Sequence, residues 1–179
     1  MTNPPKTETT QVYRIYIRAE AQAIWDALTQ PEWTARYGYT GYAAYDLRPG
    51  GAYTVRATEA FKAAGEANGR PVPDVVIAGE VIEADPPHRL VQTWRMAMDP
   101  QAAAEGFTRL TYEITEGGGP GVCRLTVIHE VGSAPSVAAM IEGAPGAEQE
   151  LGGGGWPWIL SDLKTLLETG SSFTAASPA

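Results

Sequence analysis

Near the C-terminus, Trp156, Ile159, Leu160, Leu163, Leu166 and Leu167 recur at the i, i+3, i+4, i+7, i+10 and i+11 positions of one helix face. A stripe that is apolar over its whole length must be covered, so any fold of this chain has to supply a second apolar surface. The spacing predicts a helix over 156–169. Pro157 falls in its first turn, and Gly170 is placed to cap its C-terminus in the left-handed conformation.

The second surface comes from segments with the two-residue period of strands. In 12–18, Tyr13, Ile15 and Ile17 fall on one face and Arg14, Tyr16 and Arg18 on the other. Two short helices are expected over 20–28 and 31–37, with Thr29 as a cap for the second and Glu32 completing a capping box. Strands are then expected over 42–47, 52–57, 75–83, 88–96, 107–115 and 122–131, separated by Pro49-Gly50-Gly51, Asp85-Pro86-Pro87 and the glycine-rich stretch 117–121. The more apolar register turns Val75, Ile77, Gly79, Val81, Leu90, Gln92, Trp94, Met96, Leu110, Tyr112, Ile114, Cys123, Leu125, Val127 and His129 inward. It sends Arg89, Arg95, Arg109, Glu113, Arg124 and Glu130 outward. A sheet with one apolar face and a helix with one apolar stripe satisfy each other by packing together, which predicts a two-layer α+β fold. The expected organisation is a single domain over 12–170 with flexible tails at 1–11 and 171–179.

Charge and chemistry narrow the function. The 13 basic against 21 acidic residues, a net charge of -8, argue against a nucleic-acid partner. The lone Cys123 allows no internal disulfide and, inward-facing without a basic neighbour, is expected to be inert. His88 and His129 lack neighbours with metal-ligand spacing, so no metal and no cofactor is expected. No apolar run reaches the roughly 18 residues of a membrane span, and the polar start of the chain has no signal-peptide core, so no membrane insertion and a cytoplasmic location are expected.

The order strand, two short helices, meander and long helix resembles the START-like (SRPBCC) superfamily with its helix-grip fold. It resembles most its branch of activators of the ninety-kilodalton heat-shock protein ATPase. The matching residues are Ile24-Trp25-Asp26-Ala27-Leu28-Thr29-Gln30-Pro31-Glu32, Asp46-Leu47-Arg48-Pro49-Gly50-Gly51, Gly79 to Pro87 with Leu90-Val91 and Thr93-Trp94, Leu125 to Glu130, and Gly155-Trp156 through Leu167. The resemblance implies a curved sheet gripping the C-terminal helix. It also implies a role among lipid carriers, polyketide cyclases, receptors of small molecules or co-chaperones. Long segments at 58–74, 97–106 and 132–155 depart from the compact family pattern.

In such a fold the residues between sheet and helix can line a cavity. The candidates are Trp33, Tyr37, Tyr53, Trp94, Met96, Tyr112, Trp156 and Leu160, with Gln92, Tyr112 and His129 as polar handles. No catalytic residue is assigned, because His129 has no evident nucleophile or carboxylate partner. The leading reading is non-catalytic binding of an apolar or aromatic small molecule. A polyketide cyclase or dehydratase-type enzyme using His129 or Tyr112, and a co-chaperone module with a protein partner, are the alternatives. Gly152-Gly153-Gly154-Gly155 reads as a hinge rather than a phosphate cradle, since no Lys-Ser/Thr follows it. Segment 132–155, with Val137, Met140, Ile141 and Leu151, is then either a lid or a passive loop.

Overall fold

The computed structural model describes residues 10–148 and 152–174, so the expected tail residues 1–9 and 175–179, and Leu151 of the expected lid, lie outside the described residues. The chain order is β1 (Thr10–Ile17), α1 (Ala21–Thr29), α2 (Pro31–Thr34), β2 (Gly41–Tyr45), β3 (Ala52–Ala57), α3 (Glu59–Ala67), β4 (Val75–Asp85), β5 (Arg89–Met96), α4 (Pro100–Ala104), β6 (Thr108–Glu116), β7 (Cys123–Glu130), α5 (Pro135–Glu142) and α6 (Gly155–Thr169). The strands form one antiparallel sheet in the order β1-β7-β6-β5-β4-β3-β2. Strands β2 to β7 are the expected meander, and β1 adds to the free edge of β7 with Tyr13 opposite Val127 and Ile17 opposite Cys123.

The apolar stripe and the sheet meet as the periodicities require. Leu160, Leu163 and Leu166 of α6 are buried together with Ile17, Leu90, Leu110, Ile114, Leu125 and Val127 of the sheet and Ile24 of α1. The fold is α+β with a helix-grip arrangement, and Gly170 caps α6 in the left-handed region at φ 82°. All the inward residues of β5, β6 and β7 named above are buried, whereas Arg109, Arg124 and Glu130 face solvent.

Several local expectations are corrected. Thr29 ends α1 and its hydroxyl donates to the Trp25 carbonyl at 2.8 Å, so it does not cap α2, whose N-cap is Gln30 without a side-chain bond. The three long segments each contain a helix. Thr58 caps α3 by accepting from the Phe61 N–H at 3.1 Å, and Asp99 caps α4 by accepting from the Ala102 N–H at 2.9 Å. Glu105 caps α5 by accepting from the backbone N–H groups of Ser136 and Val137 at 3.0 and 3.1 Å. These backbone bonds lower the Glu105 carboxyl against the desolvation that raises it.

The stretch after Gly170 also departs from a tail. Asp162 is fully buried on α6, and its carboxylate accepts from the Gly38 N–H, the Phe173 N–H, the Ser172 hydroxyl and the Thr174 hydroxyl, all within 2.8 Å. A buried carboxylate is tolerable only with such a set of donors. It ties residues 172–174 and the turn after α2 to the helix. An acidic residue next to the apolar stripe looks solvent-facing by period alone, which hides this role in the sequence.

Two consequences for stability follow from these contacts. Leu163→Ala removes a fully buried side chain at the helix and sheet contact and is expected to cost about 2–5 kcal/mol in urea unfolding. Asp162→Ala leaves backbone and hydroxyl donors stranded in the interior and is expected to cost roughly 2–5 kcal/mol, with Asp162→Asn losing less because an amide oxygen still accepts.

Candidate functional site

Along its C-terminal half α6 is sealed against the sheet, but its N-terminal half leaves a cavity of about 190 Å³, partly open to solvent. Trp156, Ile159, Leu160 and Leu163 form the helix side of the wall. Strands β2, β3, β5 and β6 supply Tyr45, Tyr53, Trp94, Met96 and Tyr112 from the opposite side. These residues share the wall because each occupies an inward position of its strand, and Tyr45 and Tyr53 are direct cross-strand partners with ring centroids 4.4 Å apart. Met140 and Ile141 of α5, named above with the expected lid or passive loop, and Phe61 of α3, to which the sequence pattern gave no role, complete it.

Of the ten sequence candidates, Tyr37, Tyr53, Trp94, Met96, Tyr112, Trp156 and Leu160 lie on this wall. Three do not. Trp33 is half-buried on α2 beneath the Arg36 guanidinium, 4.7 Å from its ring centroid. Gln92 is fully buried on β5 but stands behind the wall residues.

His129 is the third, and its hydrogen bonds explain why. The Trp156 Nε1–H donates to its Nδ1 at 3.3 Å, which leaves the proton on Nε2 to be donated to the Thr108 hydroxyl at 2.8 Å. Thr108 in turn donates to the Trp94 carbonyl at 3.0 Å. Both ring nitrogens are thus occupied, and the ring is enclosed by Trp94 at 5.1 Å and Trp156 at 6.2 Å between centroids. Burial pushes its pKa down to about 4. The expected polar handle is a neutral core histidine, satisfied by two residues whose own positions it sets.

The tyrosines behave differently from a catalytic base. Burial raises the pKa of Tyr53 to about 12 and pushes those of Tyr37, Tyr45 and Tyr112 upward, so all four remain protonated at neutral pH. Tyr37 donates to the Ala27 carbonyl at 3.0 Å. No carboxylate, imidazole, lysine or arginine lines the cavity among the described residues. Among those residues no cluster of His, Cys, Asp and Glu could hold a metal ion, and burial pushes the Cys123 thiol up.

The glycine run before α6 has a packing reason. A Cβ on Gly153 would lie 2.0 Å from the Ala147 carbonyl oxygen, and one on Gly155 would lie 2.4 Å from that of Ile141. The Gly154 N–H donates to the Tyr39 hydroxyl at 2.5 Å, and the Ala144 N–H donates to the Gly153 carbonyl at 2.9 Å. The run therefore lets two backbone segments touch, which a hinge does not require. Helix α5 is likewise anchored: Val137 and Ile141 are buried, Gln11 donates to the Ala138 carbonyl at 3.0 Å, and Tyr13 donates to the Ile141 carbonyl at 3.2 Å.

The profile of the family described as Activator of Hsp90 ATPase homolog 1-like protein matches residues 18–168. Among curated proteins, none matches the chain by sequence. Solved structures share its fold at low identity. The solution structure of the protein encoded by gene BPP1335 of Bordetella parapertussis is 18% identical with a TM-score of 0.64, over 99% of this chain and 82% of that one. CalU16 from Micromonospora echinospora, in solution, is 18% identical with a TM-score of 0.59, over 94% and 69%. PFC0360w, an HSP90 activator from Plasmodium falciparum, is 15% identical with a TM-score of 0.56, over 89% and 96%. No described helix is long and apolar enough to cross a membrane.

The buried imidazole sets a pH dependence. Its folded pKa of about 4 lies below the ordinary 6.5, so between these values the unfolded chain binds a proton that the folded chain does not. The stability from neutral His129 is complete above the upper value and is lost as pH falls toward the lower one. The stability gap between wild type and His129→Gln, measured by urea unfolding, is expected to shrink by about 2 kcal/mol from pH 7 to pH 4.5. An unchanged gap would mean that the ring is charged or exposed.

Proposed function

This chain belongs to the Activator of Hsp90 ATPase homolog 1-like family, and from that premise we propose that it binds an apolar or aromatic small molecule, without chemical conversion, between the sheet and α6. The observation that carries this reading is the cavity itself. A close-packed core is left unfilled here, and aromatic and methionine side chains from seven helices and strands surround the space. An engineered apolar cavity of about 150 Å³ admits benzene, so a volume of about 190 Å³ is of the right order for a small aromatic system. Burying about 250 Å² of apolar ligand surface would contribute roughly 6 kcal/mol before association costs, which corresponds to affinity in the tens of micromolar or weaker.

The enzyme alternative has less support. A cyclase or dehydratase reaction needs a group that takes up a proton, and the wall offers only phenols held protonated, while both nitrogens of His129 are engaged. The co-chaperone reading draws on the family and on the fold shared with the Plasmodium falciparum HSP90 activator. It would place the partner on the outer surface and leave the cavity without a task.

The cavity reading is tested with naphthalene as the probe, following the Trp94 and Trp156 indole signals by NMR. Met140→Trp and Met98→Trp, each replacing a half-buried wall residue, are expected to weaken binding at least tenfold with melting temperatures within a few degrees of wild type. Undiminished binding by both variants would place the probe elsewhere.

A further inference from the structure

The cavity wall carries several polar groups, and most are already engaged. Thr34 donates to the Gly41 carbonyl at 2.7 Å, Thr40 is paired with Thr58 at 3.0 Å, and Tyr39 holds the Gly154 N–H. The Gln92 amide, which stands behind the wall, is not. It is fully buried in the centre of the sheet, and neither its Oε1 nor its Nε2 has a hydrogen-bond partner. Stranding both ends of a primary amide is among the more expensive things a core can do, because each atom forgoes its bonds to water. Leucine at this position would avoid the cost entirely.

The amide is also not remote from the cavity. Gln92 pairs with Val81 of β4, two residues on from Gly79, the partner of Tyr53, which in turn pairs with Tyr45. The amide thus lies near both wall phenols and lowers their pKa values against the burial that raises them, yet no bond of acceptable geometry joins it to either. Two phenols that can donate and accept therefore stand side by side on the cavity wall, with the unpaired Gln92 amide behind them. The wall bears no charged side chain among the described residues, and an anion or cation there would have to give up its hydration with nothing to neutralise it.

We infer that the ligand of this cavity is an uncharged aromatic molecule bearing a hydroxyl or similar group that both donates and accepts, seated with that group against the Tyr45 and Tyr53 hydroxyls, which the Gln92 amide backs from behind the wall. The inference rests on the cavity reading above and adds polarity and charge to it. The phenols meet the ligand group as donors because burial keeps them protonated, and the Gln92 amide behind them can turn to pair with whichever phenol the ligand reorients. Specificity then comes from the buried polar groups, since a ligand lacking the hydroxyl leaves them unpaired while gaining the same apolar contacts.

Three probes of similar shape and different polarity provide the test: naphthalene, 2-naphthol and 2-naphthoate, titrated at pH 7 with NMR detection. Wild type is expected to bind 2-naphthol about fivefold to tenfold more tightly than naphthalene, the effect of one to two neutral hydrogen bonds, and 2-naphthoate more weakly than either. Gln92→Leu and Tyr53→Phe are each expected to reduce the preference for 2-naphthol over naphthalene, read as a ratio within each variant, to within about twofold, with a cooperative thermal unfolding transition showing that each variant is folded. Equal binding of naphthalene and 2-naphthol, tightest binding of 2-naphthoate, or a preference untouched in both variants would overturn the inference and leave the cavity reading standing. Failure of all three probes to bind would overturn the cavity reading and this inference with it.

Discussion

The contact between the apolar stripe of α6 and the concave face of the sheet is the constraint on which the rest depends. Toward its C-terminus the helix meets Ile17, Ile114 and Leu125 of the sheet and Ile24 of α1, and nothing is left open. Toward its N-terminus Trp156 meets His129 of β7 and Tyr112 of β6, while β2 and β3, at the far end of the sheet order from β1, stand across the cavity. A straight helix cannot follow a twisted sheet across its whole width, so a gap between the two is a natural product of the geometry. Here large aromatic residues border the gap without closing it.

Buried polar groups then divide by how they are satisfied. Asp162 gathers backbone and hydroxyl donors from two chain segments and so binds the turn after α2 and residues 172–174 to the helix. His129 joins β7 to Trp156 of α6 and to Thr108 of β6, which holds the inner edge of the cavity in a defined shape. Gln92 is satisfied by neither route. The contrast matters because the first two account for themselves as structure, and the third does not.

Much of the architecture was legible from residue order. Alternation over each strand predicted which side chains of β5, β6 and β7 turn inward, and the 3.6-residue period predicted α6 to within one residue at its start. The helices in the long segments carried weaker signals, namely Thr58 before Glu59, Asp99 before Pro100, and Pro135 with Val137 and Ile141 four apart. Each is too short for periodicity to register, and each is stabilised mainly by a cap and by packing. The contribution of Phe61 to the cavity was for that reason invisible, whereas Met140 and Ile141 stood out only as apolar residues of a segment that read equally as lid or loop.

By itself the sequence determined that an apolar helix must cover an apolar sheet face, and with that the α+β layering and the inward residue sets, because these follow from local periods of 3.6 and 2. Only the tertiary structure decided which inward residues enclose space and which fill it. Both nitrogens of His129 are consumed by partners 21 and 27 residues away, Trp33 is drawn under Arg36, and the glycine run serves close contact with residues 141–147. An inward-pointing side chain looks the same in sequence whether it meets a partner or a void. That choice is set by the distance between two layers, which no local pattern encodes.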